Sequence, residues 1–95
     1  MYIGVLQIEL YMSEPQSLKD KRRIIKSLID KVKKKFNVSV AEIGKHDNWN
    51  YCQLGAACVS NEAGHSDRVL NSVINFIENS STYEVTDIHT EIIPY

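Results

Sequence analysis

The Lys and Arg residues of this chain are concentrated in one segment, and their side chains are suited to binding phosphate. Nine of the eleven lie within residues 19–35, together with only two acidic residues, so that the segment has a net charge of +7. The remaining residues include two basic and ten acidic side chains, a net charge of −8. The total of −1 therefore conceals a strongly dipolar molecule, whose positive field attracts polyanions.

The spacing of this segment predicts one helix, with the basic residues on its solvent side. Ser17 is the expected N-cap, and the helix is expected to begin at Leu18 and end at Asn37. An apolar stripe about 100° wide would face the core; it consists of Leu18, Ile25, Leu28, Ile29, Val32 and Phe36. The residues predicted to contact phosphate are Lys19, Lys21, Arg22, Arg23, Lys26, Lys33 and Lys34. Lys21 and Arg22 flank the stripe, so we expect their stems to pack on a sheet and their charges to reach its edge.

A helix face of one sign is unusual for a surface that only keeps a protein in solution. Such faces usually mix Glu with Lys at i,i+4, whereas here neighbouring cations repel one another. Residues 19–35 would span ~24 Å at 1.5 Å per residue, enough to follow several phosphates. We therefore interpret the chain as a non-catalytic factor that associates with RNA, ribosomal RNA or a ribosomal subunit being the expected partner.

Other residue types with reactive side chains lack the spacing of a catalytic or metal site. His46 and Asp47 are adjacent on a predicted loop, with no nucleophile or third orienting group. The three histidines lie in different predicted elements, so no metal or other cofactor is expected. Cys52 and Cys58 would lie roughly 20 Å apart on one strand; we expect unpaired core residues. The chain is therefore not expected to be an enzyme.

The apolar patterns predict four strands and two helices in the order β-α-β-β-α-β. Strands are expected at residues 2–12, 38–43, from 49 or 51 to 59, and 83–93, and a second helix begins after a cap at Ser60 or Asn61. A change of phase in the last strand predicts a β-bulge near Thr86 and Asp87. This order predicts a single domain, residues 1–95, with a ferredoxin-like α+β fold in which two helices cover one face of an antiparallel sheet.

A different function would use the sheet face opposite the helices, called here the open sheet face. It would present a mixture of small, apolar and polar residues, namely Ile3, Val5, Gln7, Glu9, Tyr51, Gln53, Gly55, Ala57 and Val59. Trp49 and Tyr51 are the candidate partner-binding residues, although the Trp49 indole would alternatively fold over the end of the core. The alternative is therefore a dimeric structural or regulatory module that binds a protein or small ligand through this face and the Trp49 loop, and homodimerisation is a hypothesis.

The sequence gives no indication of a membrane protein. No apolar run approaches the ~20 residues that cross a bilayer, and the first residues do not have the pattern of a signal peptide. We expect the protein in the cytoplasm.

Three stretches of the sequence resemble the YlxP-like proteins (DUF503), a bacterial family of unknown function. They are Ser-Leu-Lys-Asp-Lys-Arg-Arg at residues 17–23, Lys-Phe-Asn-Val-Ser-Val-Ala-Glu at residues 35–42, and Leu-Gly-Ala-Ala at residues 54–57 followed by Val-Ser-Asn at residues 59–61. The resemblance covers essentially the whole chain and implies a ferredoxin-like fold. It also implies a link to ribosome maturation or translation, because genes of this family often lie beside those for translation initiation and ribosome-binding factors. It brings no catalytic residues.

Overall fold

The structure, a computed structural model, describes residues 1–95 and has the predicted order of elements. The strands are β1 (Tyr2–Tyr11), β2 (Ser39–Gly44), β3 (Tyr51–Ser60) and β4 (Glu84–Pro94), and the helices are α1 (Leu18–Lys35) and α2 (Ala63–Glu78). All strand pairs are antiparallel, in the order β2-β3-β1-β4. Two βαβ units are thereby interleaved, which confirms the ferredoxin-like α+β fold.

The core lies between the two helices and one face of the sheet. Alternate residues of β1, including Leu6, Ile8 and Leu10, are buried there, because successive side chains of a strand point to opposite faces. The helices complete the core with Ile25, Leu28 and Val32 from α1 and Leu70, Val73 and Ile77 from α2. The other face is the predicted open sheet face, which no element of the chain covers. Neither helix is long and apolar enough to cross a membrane.

Helix α1 begins at Leu18, as its cap predicts. The Ser17 hydroxyl accepts a hydrogen bond from the Asp20 amide at 3.1 Å, and the Asp20 carboxylate accepts one from the Gln16 amide at 3.2 Å. Two otherwise unpaired amides near the helix start are thereby satisfied. Three lysines occupy the last turn, residues 33–35, where the negative end of the helix dipole partly offsets their repulsion.

The start of helix α2 differs from the prediction. Its N-cap is Glu62, which makes no side-chain capping bond, and neither Ser60 nor Asn61 caps it. The reason is that β3 continues through Ser60, which pairs with Tyr2 of β1. Ser60 is therefore held in the sheet, and its hydroxyl accepts a bond from the Glu62 amide in the turn that leads to the helix.

The sheet has two irregularities that affect its edges. The pairing of β1 with β4 shifts between Glu9 and Leu10, which leaves Thr86 without a partner and confirms the predicted bulge. The pairing of β2 with β3 also shifts, at Ile43, and Lys45 follows with a left-handed φ of 57°. These changes direct the connection between β2 and β3 towards the start of α1.

Candidate nucleic-acid interface

One helix presents nearly all the exposed positive charge of the molecule. Eight basic side chains of α1 are exposed, and we call them the basic face: Lys19, Arg22, Arg23, Lys26, Lys31, Lys33, Lys34 and Lys35. None of them forms an ion pair, since the two ion pairs of the structure join Lys21 to Glu42 and Lys45 to Glu9. The basic face is therefore available to an external anion. Whether its members contact phosphate stays a prediction.

The middle of the basic face contains a shallow depression of about 370 Å³. All of its lining residues are polar or charged, namely Arg23, Lys26, Ser27, Asp30, Lys31 and Lys34. Four cations thus surround one carboxylate and one hydroxyl. Lys and Arg donate charge-assisted hydrogen bonds to phosphate oxygens, so this depression is suited to a phosphate group.

Lys21 does not belong to this surface, and the prediction that it contacts phosphate is wrong. It is only 1 % exposed, and its Nζ donates a hydrogen bond of 2.6 Å to the Lys45 carbonyl oxygen. Nζ also lies 3.1 Å from Oε2 of Glu42. That oxygen has no partner with hydrogen-bond geometry, so the second contact is an ion pair by distance only.

The position of Lys21 in the sequence explains its burial. It follows Leu18 by three residues and precedes Ile25 by four, which places it within the apolar stripe rather than beside it. Glu42 lies on the side of β2 that faces the helices, since it pairs with the buried Leu54. The lysine therefore connects α1 to β2 and to the connection that follows, and so fixes the orientation of the basic face.

The two predicted partner-binding aromatic residues have different environments. Trp49 is 49 % exposed, so its indole does not fold completely over the core. Tyr51 is half-buried on the open sheet face, where its ring packs edge-to-face on Tyr11 with centroids 5.2 Å apart. The Lys45 ammonium lies 4.9 Å from the centre of the Tyr51 ring. Tyr51 is thus engaged within the chain, whereas much of Trp49 is accessible.

Glu9 organises a polar cluster on the open sheet face. Its carboxylate lies 2.8 Å from the Lys45 ammonium and accepts hydrogen bonds from Gln53 at 3.2 Å and from the Thr86 hydroxyl at 3.0 Å. These contacts, with Lys45 first, hold the pKa of Glu9 below its usual value. A carboxylate with several donors and a lowered pKa is a weak proton acceptor, and this one joins β1, β3, β4 and the residue after β2.

The two cysteines are buried, unpaired core residues, as predicted. Burial raises the pKa of the Cys52 thiol to about 12, and the nearby Glu42 carboxylate contributes to the increase. Since the thiolate is the reactive form of cysteine, the folded protein holds Cys52 near neutral pH in its unreactive thiol form. No group of three or more His, Cys, Asp or Glu side chains is arranged to hold a metal ion.

A second surface feature, which the sequence analysis missed, lies beside the basic face. We call it the interhelical groove, and its volume is about 270 Å³. It is lined by Leu28 and Lys31 of α1, by Phe76 and Asn79 at the end of α2, and by Ser80, Thr82 and Tyr83 of the following connection. In the sequence, the residue that could have indicated this groove is Phe76, an aromatic residue at the flank of the α2 apolar stripe rather than within it.

The ring of Phe76 is held by its neighbours. It packs edge-to-face on Phe36, with centroids 5.8 Å apart and planes at 73°. The Lys35 ammonium lies 5.0 Å from the centre of the same ring, a cation–π contact. The Phe76 ring therefore has a fixed position beside exposed positive charge.

The open sheet face contains an apolar depression of about 360 Å³. Ile43, displaced by the β2 irregularity, lies over Gly55 and is 49 % exposed. Val59 on the same face is 65 % exposed. Exposed apolar groups on one surface are typical of an interaction surface.

Comparison with known proteins gives the family. Residues 3–90 match a family model described as "Protein of unknown function (DUF503)". The chain belongs to this family. The resemblance to YlxP-like proteins is thereby confirmed, and it extends over nearly all the elements described above.

This DUF503 protein is similar to a curated relative and to a solved structure. It is 36 % identical over 89 residues to "Uncharacterized protein YlxP" of Bacillus subtilis (strain 168), with 94 % of this chain and 97 % of that protein covered. The solved structure is the "De novo designed protein Foldit4", with a TM-score of 0.53 over 98 % of both chains. At 17 % identity, the second match shows the fold alone.

The candidate sites of this DUF503 protein lie on different surfaces. The basic face and the interhelical groove share Lys31 and are continuous. The apolar depression and the Glu9 cluster lie on the open sheet face, on the other side of the sheet from the helices. A partner of the helices and a partner of the sheet would therefore not compete for the same residues.

Proposed function

We propose that this protein is a non-catalytic, cytoplasmic RNA-binding factor that associates with ribosomal RNA or a ribosomal subunit during ribosome maturation or translation. The observation that supports this proposal is the basic face, with eight exposed basic side chains on one helix and no internal ion pair among them. Its binding element is the solvent side of α1.

The electrostatic cost of the basic face favours a polyanionic partner. Cations three and four residues apart on a helix repel one another, and this repulsion is offset only in part, by Asp30 between Lys26 and Lys34 and by the helix dipole near the end of α1. Binding of a phosphate backbone removes this repulsion and releases the counterions condensed on the nucleic acid. Each phosphate neutralised then adds roughly 0.7 to 0.9 to the slope of log affinity against log salt.

The attachment of α1 to the sheet also favours binding. Ile25, Leu28 and Val32 are buried, and Lys21 fixes the first turns through Glu42 and the Lys45 carbonyl. Helix α1 is therefore a rigid support, so that association costs side-chain entropy but little backbone entropy.

The expected mode of recognition is RNA shape rather than a sequence code. Phosphate contacts position a protein without specifying bases. Sheet surfaces that read single strands present several aromatic rings on their central strands, whereas β1 and β3 present on the open sheet face a single aromatic pair, Tyr11 and Tyr51, at the end of their pairing. The partner that fits best is the backbone of a structured RNA.

The decisive test is charge reversal on α1. A variant with Glu in place of Lys19, Arg23, Lys26 and Lys33 should fold, because all four side chains are exposed. It should lose most of its affinity for ribosomal RNA fragments and should no longer sediment with ribosomal subunits. Circular dichroism of the variant verifies the fold.

A matched pair of single changes gives the control. Arg23→Glu on α1 should lower the salt slope by roughly 0.7 to 0.9. Arg68→Glu, also at an exposed helical position but on α2, should leave affinity and slope unchanged. Equal effects of the two changes, or an unchanged affinity of the quadruple variant, would show that the basic face is not the binding element.

A second candidate function is a dimeric module that uses the open sheet face. The observation that favours it is the apolar depression beside the exposed Ile43 and Val59. Light scattering should then give twice the 10.9 kDa mass of the chain, and Val59→Asp should restore the monomer. A single 10.9 kDa species at tens of micromolar contradicts the dimer. The dimer would leave both copies of α1 exposed, so it is compatible with RNA binding.

A further inference from the structure

We infer that the interhelical groove binds one unpaired nucleobase of the RNA whose phosphates contact the basic face. This inference rests on the proposed function and adds a base contact to it. The groove would therefore recognise a bulge or loop within a structured RNA.

The walls of the interhelical groove have the chemistry of a base-stacking site. Phe76 and Tyr83 both line it, and both are partly buried, so their rings are held in place by the core. Aromatic rings stack on any nucleobase, because every base has a flat π face. Burial, followed by the effect of Glu14, raises the pKa of Tyr83, so its hydroxyl stays protonated and remains a donor.

The lining of the groove also supplies hydrogen-bonding groups for the edge of a base. Asn79, Ser80 and Thr82 line it. An amide and two hydroxyls offer both donors and acceptors, as the edges of all four bases do. Aromatic side chains beside hydrogen-bonding groups fit a heterocycle better than an aliphatic chain or a simple anion.

The size of the groove limits its occupant. Its volume of about 270 Å³ is below the roughly 300–1,000 Å³ of pockets that enclose drug-sized ligands. One base fits such a space, with its sugar and phosphate outside.

The position of Lys31 identifies the occupant as part of a nucleic acid. Lys31 lines both the interhelical groove and the depression on the basic face, so a base in the first has its phosphate beside the second. An aromatic group attached to a phosphate complements the groove and the adjoining depression, whereas an uncharged apolar ligand would make no use of Lys31.

The test compares two RNA hairpins of equal length, one fully paired and one with a single bulged 2-aminopurine. The parent protein should bind the bulged hairpin roughly tenfold more tightly, the effect expected of one stacked base. The 2-aminopurine fluorescence should fall on binding, because stacking on an aromatic ring quenches it. Both measurements use the parent protein and so do not depend on the folding of a variant.

Phe76→Leu supplies the residue-level test, since leucine keeps an apolar contact with Phe36. The variant should lose both the preference and the quenching, and it should keep the parent's affinity and salt slope for the paired hairpin. Arg68→Glu, away from the groove, should keep all of these properties. A preference retained by Phe76→Leu would overturn the inference, because the base would then lie elsewhere.

The outcomes separate this inference from the proposed function. Equal binding of both hairpins without quenching would overturn the base-binding groove and leave the basic face as an RNA-binding element. Failure of the parent protein to bind either hairpin or ribosomal RNA would overturn the proposed function, and the groove inference with it.

Discussion

Replacing the buried Lys21 by Met should destabilise the protein strongly without changing the salt slope of its RNA binding, because Lys21 contacts no phosphate. Met matches the unbranched stem of Lys but has no ammonium group. The change removes the 2.6 Å hydrogen bond to the Lys45 carbonyl and the 3.1 Å contact with Glu42 Oε2. It therefore leaves a mostly buried carboxylate with no positive partner.

The expected cost follows from these two losses. Removing one member of a buried ion pair costs about 3–5 kcal/mol, because the remaining charge is desolvated without compensation. The Glu42 side chain is 18 % exposed, so water solvates it in part, and we expect the lower end, about 3 kcal/mol. For a domain of this size, 1 kcal/mol changes Tm by roughly 4–8 °C, so Tm should fall by about 12 °C or more.

The assay is urea denaturation, monitored by circular dichroism, of the parent, the two single variants and the double variant, which together form a double-mutant cycle. Lys21→Met with Glu42→Leu removes both charges, and this pair of changes should recover most of the stability lost in the single variants. Arg22→Met is the matched control, because Arg22 is the next residue in α1 and its side chain is exposed. This substitution should change the free energy of unfolding by only about 0.5 kcal/mol.

RNA titrations of the same two variants complete the test. Below its Tm, Lys21→Met should keep the parent's salt slope, whereas Arg22→Met should lower it by roughly 0.7 to 0.9. The reasoning is refuted if Lys21→Met is as stable as Arg22→Met and lowers the slope as much. Lys21 would then reach solvent and contact phosphate.

Three further predictions concern groups outside the basic face. Because the pKa of Glu9 is lowered in the folded protein, its contribution to stability is present above about pH 4.5 and is lost as the pH falls through the folded-state pKa. Glu9→Gln should therefore lower Tm at neutral pH, and a difference in Tm between parent and variant that persists in acid would contradict this account. The thiol of Cys52, with a pKa of about 12, should react with iodoacetamide near neutral pH only after unfolding, and mass spectrometry showing equally fast labelling of the native protein would disprove its burial. Gly4→Ala should lower the free energy of unfolding by about 1–3 kcal/mol, since the added Cβ would lie 2.9 Å from Cys58 Sγ. Gly64→Ala, in the first turn of α2, should be neutral or stabilising by up to about 1 kcal/mol. Thermal denaturation compares the two variants, and equal Tm values would show that the sheet accommodates the added methyl group.

The sequence alone determined the order of the elements and the position of the charge. Period-2 and helical patterns are local, so they located both helices, all four strands and the bulge at Thr86. The same periodicity placed six of the seven predicted phosphate-binding residues on the exposed side of α1. Their exposure needed no knowledge of the partner segments, because a lysine opposite the apolar stripe faces solvent in any packing of that helix.

Tertiary structure decided the features that depend on distant segments. Helical spacing places Lys21 within the apolar stripe, but its ammonium is accommodated there because Glu42 and the Lys45 carbonyl, more than twenty residues away, supply its partners, and no local pattern reports such partners. Ser60 does not cap α2 because its pairing with Tyr2 extends β3. The interhelical groove exists only where α1, α2 and the following connection meet, so Phe76 and Lys31 become neighbours through packing. Local sequence sets which face of an element is apolar, but the contacts between elements determine which polar groups are buried and which aromatic rings remain accessible.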